Sequence, residues 1–237
     1  EGGFYESVNN MIVWDKNGSS KLSQIIPGDG SQFSLSLSSI TDPVQVRKVK
    51  NPFITISVVM TGDRAGDDSA KVSSEGQLML KMLSNLTLTS KSYRTGAFSN
   101  TGPIPPRADQ ESTYTIKWTL TNTTNDLSGA TVRATLPQGV SWKGEFVPVS
   151  EKLNYDPDSK TITWNVGSIS AGSGFSSSPR EVSFKVGIVP SLSQVNNSPD
   201  LVSAVTASAT DTWTATIISA SASAVNTIVS DPNFNIG

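Results

Sequence analysis

The sequence predicts an all-β chain of tandem antiparallel β-sandwiches, the first of them incomplete. Apolar and polar residues alternate with a period of two in one segment after another. The 13 Pro and 18 Gly interrupt these segments at intervals too short for long helices. No sustained i, i+3, i+4 spacing of apolar residues appears in the 237 residues.

The chain repeats itself. The stretch from Tyr5 to Asp15, with Ile12 two residues before Trp14, matches the stretch from Tyr155 to Asn165, with Ile162 two residues before Trp164. In both, an aromatic residue precedes an acidic, turn-forming loop. Trp14 is followed by Ile26-Pro27-Gly28 and the alternating Phe33-Ser34-Leu35-Ser36-Leu37. Trp164 is followed by Ser170-Ala171-Gly172 and the alternating Val182-Ser183-Phe184-Lys185-Val186. Asn51-Pro52 before Ile54 is echoed by Ser198-Pro199 before Leu201. Asn85-Leu86-Thr87-Leu88, leading to Tyr93, is echoed by Asn226-Thr227-Ile228-Val229, leading to Phe234. Loop insertions and deletions account for the drift in offset.

This frame assigns residues 1–84 to the C-terminal part of one repeat and residues 85–230 to a complete one. Residues 231–237 are then the start of a further repeat or an exchangeable tail strand. Within the complete repeat, Tyr114, Ile116, Trp118 and Leu120 share a face, with Thr115, Lys117 and Thr119 opposite. Val182, Phe184, Val186 and Ile188 repeat the pattern against Ser183, Lys185 and Gly187. Residues 132–136 run into the turn signal Pro137-Gln138-Gly139, and further strands are expected near 161–165, 201–209 and 214–221. Pro103, Pro105 and Pro106 read as a stiff, extended crossing loop. One apolar and one polar face per strand, with a turn about every ten residues, describes two antiparallel sheets stacked face to face.

Composition removes several function classes. The formal net charge is -2 with 16% charged residues, and no Lys/Arg cluster is interleaved with aromatics, so no nucleic-acid partner is expected. Ser and Thr make up roughly a quarter of the chain, well above ordinary usage. There are 0 Cys and 0 His, which excludes disulfides, the common zinc sites, Cys/His dyads and the Ser-His-Asp triad. No apolar stretch approaches the ~20 residues that span a bilayer, and no transmembrane segment is expected. Glu1-Gly2-Gly3 shows no charged n-region before an apolar stretch and reads as an interior position of a longer polypeptide.

Specific motifs then carry a resemblance. Thr113 through Asn122 reads T-Y-T-I-K-W-T-L-T-N, and residues 132–142 end in Leu136-Pro137-Gln138-Gly139-Val140-Ser141-Trp142. Tyr155-Asp156 leads through Ile162-Thr163-Trp164-Asn165 to Val166-Gly167. Over roughly residues 112–190 the chain resembles the conserved repeat domain of bacterial and archaeal surface proteins. Residues 51–93 and 101–106 are similar to a variant found in large surface proteins of uncultured bacteria. The resemblance implies an Ig-like fold, tandem arrays, an extracellular or cell-surface location and a spacer or adhesive role. It supplies no catalytic residues.

Candidate sites are few. The acidic loops Asp63, Asp67, Asp68 and Asp156, Asp158 are weak calcium candidates, but neither has EF-hand spacing or a closing Glu. Asp156-Pro157-Asp158 is better accounted for as a hairpin turn. A Lys–Asn/Asp isopeptide crosslink needs a lysine buried between the sheets. Alternation points Lys117, Lys185 and Lys81 away from their apolar neighbours and leaves Lys48 and Lys91 open. Glycoside hydrolysis by paired carboxylates finds no strand-end acid in an aromatic-lined cleft. Trp118 reads as core and Trp14 and Trp164 share a packing role at equivalent positions, whereas Trp142 and Trp213 are candidate ligand-contact aromatics for sugar.

The expectation is a non-catalytic structural repeat of a secreted or cell-surface protein, without cofactor unless calcium binds. The core aromatics and a junction strand at residues 85–89 would do the mechanical work. Its partners would be neighbouring repeats or other copies of the same protein. The alternatives are a glycan- or protein-binding adhesive module, with a host or cell-surface protein as partner, and a subunit that polymerises by exchanging a tail strand, residues 226–236.

Overall fold

The structure is a computed structural model that describes residues 2–36, 49–194 and 196–231, without the side chains of 67–69. The chain divides into two compact units, residues 1–41 and 42–237. Lys48 and residues 232–236 of the tail lie outside the described residues.

In the first unit β1 (Phe4–Glu6) pairs antiparallel with β2 (Met11–Val13). The loop between them is closed by Tyr5, whose hydroxyl donates to Asn10 Oδ1 at 2.8 Å. Asp15 Oδ1 accepts the amides of Asn17 (3.0 Å) and Gly18 (2.8 Å), forming an Asx turn. Trp14 packs on Phe33 at 5.7 Å between ring centroids. Of the alternating run 33–37, residues 33–36 have no regular structure, and Leu37 lies outside the described residues. Alternation supplies a face; a strand also needs a neighbour for its backbone donors and acceptors.

The second unit opens with a long antiparallel ribbon, β3 (Phe53–Arg64) and β4 (Asp67–Lys81). Its other strands are β5 (Leu86–Tyr93), β6 (Ser112–Asn122), β7 (Leu127–Thr135), β8 (Val140–Val147) and β9 (Lys152–Asp156). They continue with β10 (Thr161–Ile169), β11 (Arg180–Ile188), β12 (Asp200–Val202), β13 (Val205–Asp211), β14 (Thr216–Ala222) and β15 (Val225–Asn226). Two antiparallel sheets result, ordered β14-β13-β7-β10-β9 and β5-β6-β11-β8, with β12 and β15 paired beside them. This is an all-β antiparallel sandwich of Ig-like type, and its paired strands run from residue 86 to 226.

Alternation explains the packing. Ile162, Trp164 and Val166 of β10 are buried, while Thr161, Thr163 and Asn165 between them are partly or fully exposed. Opposite them, in the other sheet, stand Tyr114, Ile116, Trp118 and Leu120 of β6, all fully buried. Register in that sheet sets Val182 beside Trp118, Phe184 beside Ile116 and Val186 beside Tyr114. Trp118 meets Phe184 edge-on, at 4.9 Å and 78°. Burying each such side chain contributes roughly 1.5–3 kcal/mol.

Both core tryptophans keep a polar partner, as a buried indole N–H requires. Trp118 Nε1 donates to Ser90 Oγ at 3.1 Å. Trp164 Nε1 donates to Glu151 Oε2 at 2.7 Å, and Arg180 Nη2 donates to both oxygens of the same carboxylate at 2.7 and 2.8 Å. Glu151 therefore ties the loop before β9 to both sheets.

Candidate functional site: the two chain junctions

Polar side chains converge where the chain enters the sandwich. Asp211, at the end of β13, is wholly buried. Its Oδ2 accepts from Ser84 N (2.8 Å) and Asn125 Nδ2 (2.7 Å). Its Oδ1 accepts from Trp213 N (2.9 Å) and Thr214 N (3.1 Å). Burial pushes this carboxyl upward, but the four donors outweigh it and hold Asp211 below the usual carboxylate range.

Ser84 extends the network. Its hydroxyl donates to Asn122 Oδ1 at 2.6 Å and accepts the amides of Thr124 (3.0 Å) and Asn125 (3.2 Å). Asn122 Nδ2 in turn donates to the carbonyls of Asn125 (2.7 Å) and Ser170 (3.1 Å). Asn125 Nδ2 also reaches Met82 O at 2.8 Å. Asn122 and Asn125 are fully buried, so their hydrogen bonds are shielded from water.

The base of the ribbon is fastened to the same end. Lys50 pairs with Asp126 at 2.7 Å, and Asp126 also accepts Ala171 N at 2.9 Å. These two contacts, Lys50 first, lower the Asp126 carboxyl. Trp213 Nε1 donates to Pro52 O at 3.2 Å, and Lys81 Nζ donates to Trp213 O at 3.0 Å. Lys81 Nζ also sits 4.3 Å from the centre of the Trp213 ring, and Phe53 meets that ring at 6.3 Å.

A second cluster holds the chain where it leaves. Asp231 Oδ2 accepts Arg94 N at 2.7 Å, and Oδ1 accepts the Thr95 amide at 3.0 Å and the Thr95 hydroxyl. Burial pushes Asp231 up and these donors pull it further down, leaving it below the usual range. Ser92 Oγ lies 3.0 Å from the carbonyls of Asn226 and Ile228, and Ser230 N donates to Ser92 O at 2.8 Å. Arg94 donates to the carbonyls of Thr101 (2.7 Å), Thr113 (2.7 Å) and Gly102 (2.6 Å). Gly102 has φ +89°, and a Cβ there would lie 2.1 Å from Glu111 O, so only glycine fits.

The acidic loops of the sequence reading fall apart from these clusters. Asp63, near the tip of the ribbon, pairs with Lys71. Asp67 and Asp68 open β4, and their side chains lie outside the description. Asp156 Oδ2 accepts Ser159 Oγ at 2.6 Å and Oδ1 accepts Asp158 N at 3.0 Å, the Ser159 bond being the larger cause of its lowered pKa. Asp158 stands in that turn. Among the described residues no three His, Cys, Asp or Glu side chains are grouped to hold a metal.

The lysines and tryptophans are placed as follows. Lys117 pairs with Glu181 and Lys185 with Glu145, each at 2.9 Å, and Lys91 is exposed on β5. Trp142 is half-buried, stacked on Tyr155 at 5.7 Å and tilted against Phe184 at 5.5 Å. Trp213 is half-buried at the ribbon base. Both rings are engaged in packing within the chain.

Sequence reading passed over Asp211, Ser84 and Asn125. Two signals pointed to them: Asn122 closes the T-Y-T strand motif, and Asp211-Thr-Trp has the form of an Asx turn.

No protein-family model matches the chain, and no curated protein does. Solved structures that the chain matches in part include the full-length major pilin SpaD of Corynebacterium diphtheriae. That match is 13% identical and covers 60% of this chain and 35% of the pilin, with a TM-score of 0.38. A D312A form of BcpA, the major pilin subunit of Bacillus cereus, is 10% identical over 72% of this chain and 48% of that one, with a TM-score of 0.36. A GH20 exo-β-N-acetylglucosaminidase of Vibrio harveyi matches at 13% identity over 62% of this chain and 18% of the enzyme, with a TM-score of 0.29. The chain spans less than half the length of each, and likeness at this level identifies no activity or partner.

Proposed function

We propose that this chain is a non-catalytic structural segment of a secreted or cell-surface protein, a link in an array of repeated sandwiches. One observation carries the reading. The chain enters at Ser84, just before β5, and leaves at Asp231, fixed beside Ser92 and Arg94 at the other end of β5. Eight residues of strand separate the two junctions, about 26 Å. A spacer needs its two attachments at opposite ends and each held rigidly, so that orientation and tension pass from one to the next.

The chemistry of the acids supports the same reading. Asp126, Asp156, Asp211 and Asp231 all lie below the usual carboxylate range, Asp126 chiefly because the Lys50 ammonium donates to it and the others because amide N–H groups and hydroxyls do. Acids held ionised in this way serve as turn and junction acceptors and are poor general acids near neutrality.

The intact mass of the native polypeptide under denaturing conditions, beside its oligomeric state, tests the proposal. A mass well above 25.1 kDa is expected for a link in an array. A native mass near 25.1 kDa overturns the array; with polymers in solution it would favour strand exchange through the tail. A second reading, an adhesive module, has one supporting feature. Ile104, Pro105, Arg107, Pro190, Gln194 and Thr227 line a groove of about 440 Å³. Binding of glycans or surface proteins that is lost in Arg107→Ala would favour it.

A further inference from the structure

The β3–β4 ribbon has two unlike faces. The cross-strand pairs Ile54–Leu80, Ile56–Leu78, Val58–Gly76 and Met60–Ser74 share one face. Phe53–Lys81, Val59–Glu75 and Asp63–Lys71 share the other, which carries the charged Lys81, Glu75, Asp63 and Lys71. The apolar face stands in solvent: Val58 is 61% exposed, Met60 54% and Leu78 56%. An isolated two-stranded ribbon is marginal in water, and such a face calls for a cover.

A second ribbon stacked face to face does not suffice. Twelve residues of strand are about 40 Å long, and a ribbon is about 10 Å wide, giving about 400 Å² per partner. The total of about 800 Å² has the size of an incidental contact. The chain's own repeat names a better occupant. Laying Asn51-Pro52 and Ile54 on Ser198-Pro199 and Leu201 carries β3 onto residues 200–211, which hold β12 and β13. Val58, Met60 and Gly62 then fall on Val205, Ala207 and Ala209, the buried residues of β13. The apolar face of the ribbon thus coincides with the core face of the sandwich. β13 has β14 on one edge and β7 on the other, with Val132 opposite Ala207. Among the described residues β3 has β4 alone.

We propose that the outer edge of β3 receives an antiparallel strand from the opening part of its own repeat in the longer polypeptide. That strand is the counterpart of Leu127–Thr135 and sets an aliphatic side chain opposite Met60. The apolar face of the ribbon closes on the core of that repeat. This rests on the array reading and names the surface on which the repeat that holds the ribbon is completed.

Hydrogen exchange followed by mass spectrometry, on the native-length polypeptide and on the 237-residue chain, tests it. The β3 amides not paired with β4 should exchange about a hundredfold slower in the longer polypeptide. Val58→Glu in that polypeptide should remove this protection while β6 and β11 stay protected. Equal exchange of β3 in a longer polypeptide overturns the assignment and leaves the array reading standing. Protection in the 237-residue chain that rises with protein concentration assigns the face to a second copy and also overturns it. A native polypeptide no longer than 237 residues takes down the array reading itself.

Discussion

Asp211 and Ser84, 127 positions apart, meet in a 2.8 Å hydrogen bond from the Ser84 amide to the Asp211 carboxylate, at the point where the ribbon gives way to the sandwich. Each of the two oxygens of Asp211 receives two donors, so the group can be replaced by nothing with a donor of its own.

Asp211→Asn is therefore expected to be as damaging as Asp211→Ala. In either amide orientation an NH₂ faces two N–H groups that the carboxylate had accepted. A loss of about 3–4 kcal/mol is expected, measured by chemical denaturation at neutral pH. The wild type also carries an acid limb from this group. Its folded pKa is below the unfolded value, so its stabilisation is present above pH 3.8 and is lost as pH falls below it. Asp211→Asn should flatten that limb.

Tyr114 titrates in the opposite sense. Its buried hydroxyl has no partner among the described residues, and burial pushes it up to about 12 despite nearby Arg94. The unfolded phenol ionises near 10 while the folded one stays protonated, so stability falls as pH rises from about 10 to about 12. The expected loss across that window is about 2–3 kcal/mol. Tyr114→Phe should remove it and leave stability at pH 7 unchanged or higher, which alkaline unfolding curves would show.

Glu151 is 10% exposed at its side chain and serves both Trp164 and Arg180. Glu151→Ala strands the indole N–H in the core and costs about 2–3 kcal/mol by denaturation. Glu151→Gln keeps one acceptor for the indole and should lose less. Equal losses in the two variants would show that charge, rather than the hydrogen bond to Trp164, matters.

At the ribbon base, Lys81→Ala removes a cation over the Trp213 ring and a bond to its carbonyl. Because the pair is half in solvent, about 1 kcal/mol or less is expected in global stability. Limited proteolysis is the sharper readout. Cleavage between residues 53 and 81 should accelerate several-fold in Trp213→Ala, with the sandwich left intact.

The repeat of Tyr5–Trp14 at Tyr155–Trp164 and the alternations at residues 114–120 and 182–188 were legible because side-chain period and turn residues are local properties. They located β6, β10 and β11 and put Trp118 and Trp164 in the core. The alternation at 33–36 reports a face and says nothing of whether a neighbouring strand exists. The carboxylates shared this limit. Asp156 read as a turn acid and Asp211 was passed over, and only three-dimensional neighbours show that the first caps an exposed hairpin while the second knots two distant loops.

By itself the sequence determined the all-β class, the pleat of each strand, the absence of thiol and imidazole chemistry, and the repeated order of motifs. These depend on residue type and short-range spacing. Tertiary structure decided which edges meet: that Ser84, Asn122, Asn125 and Asp211 share one buried network, that Asp231 returns to Arg94, and that Trp142 and Trp213 pack within the chain. Those relations depend on strand order and register, which bring together residues whose separation along the chain carries no local signal.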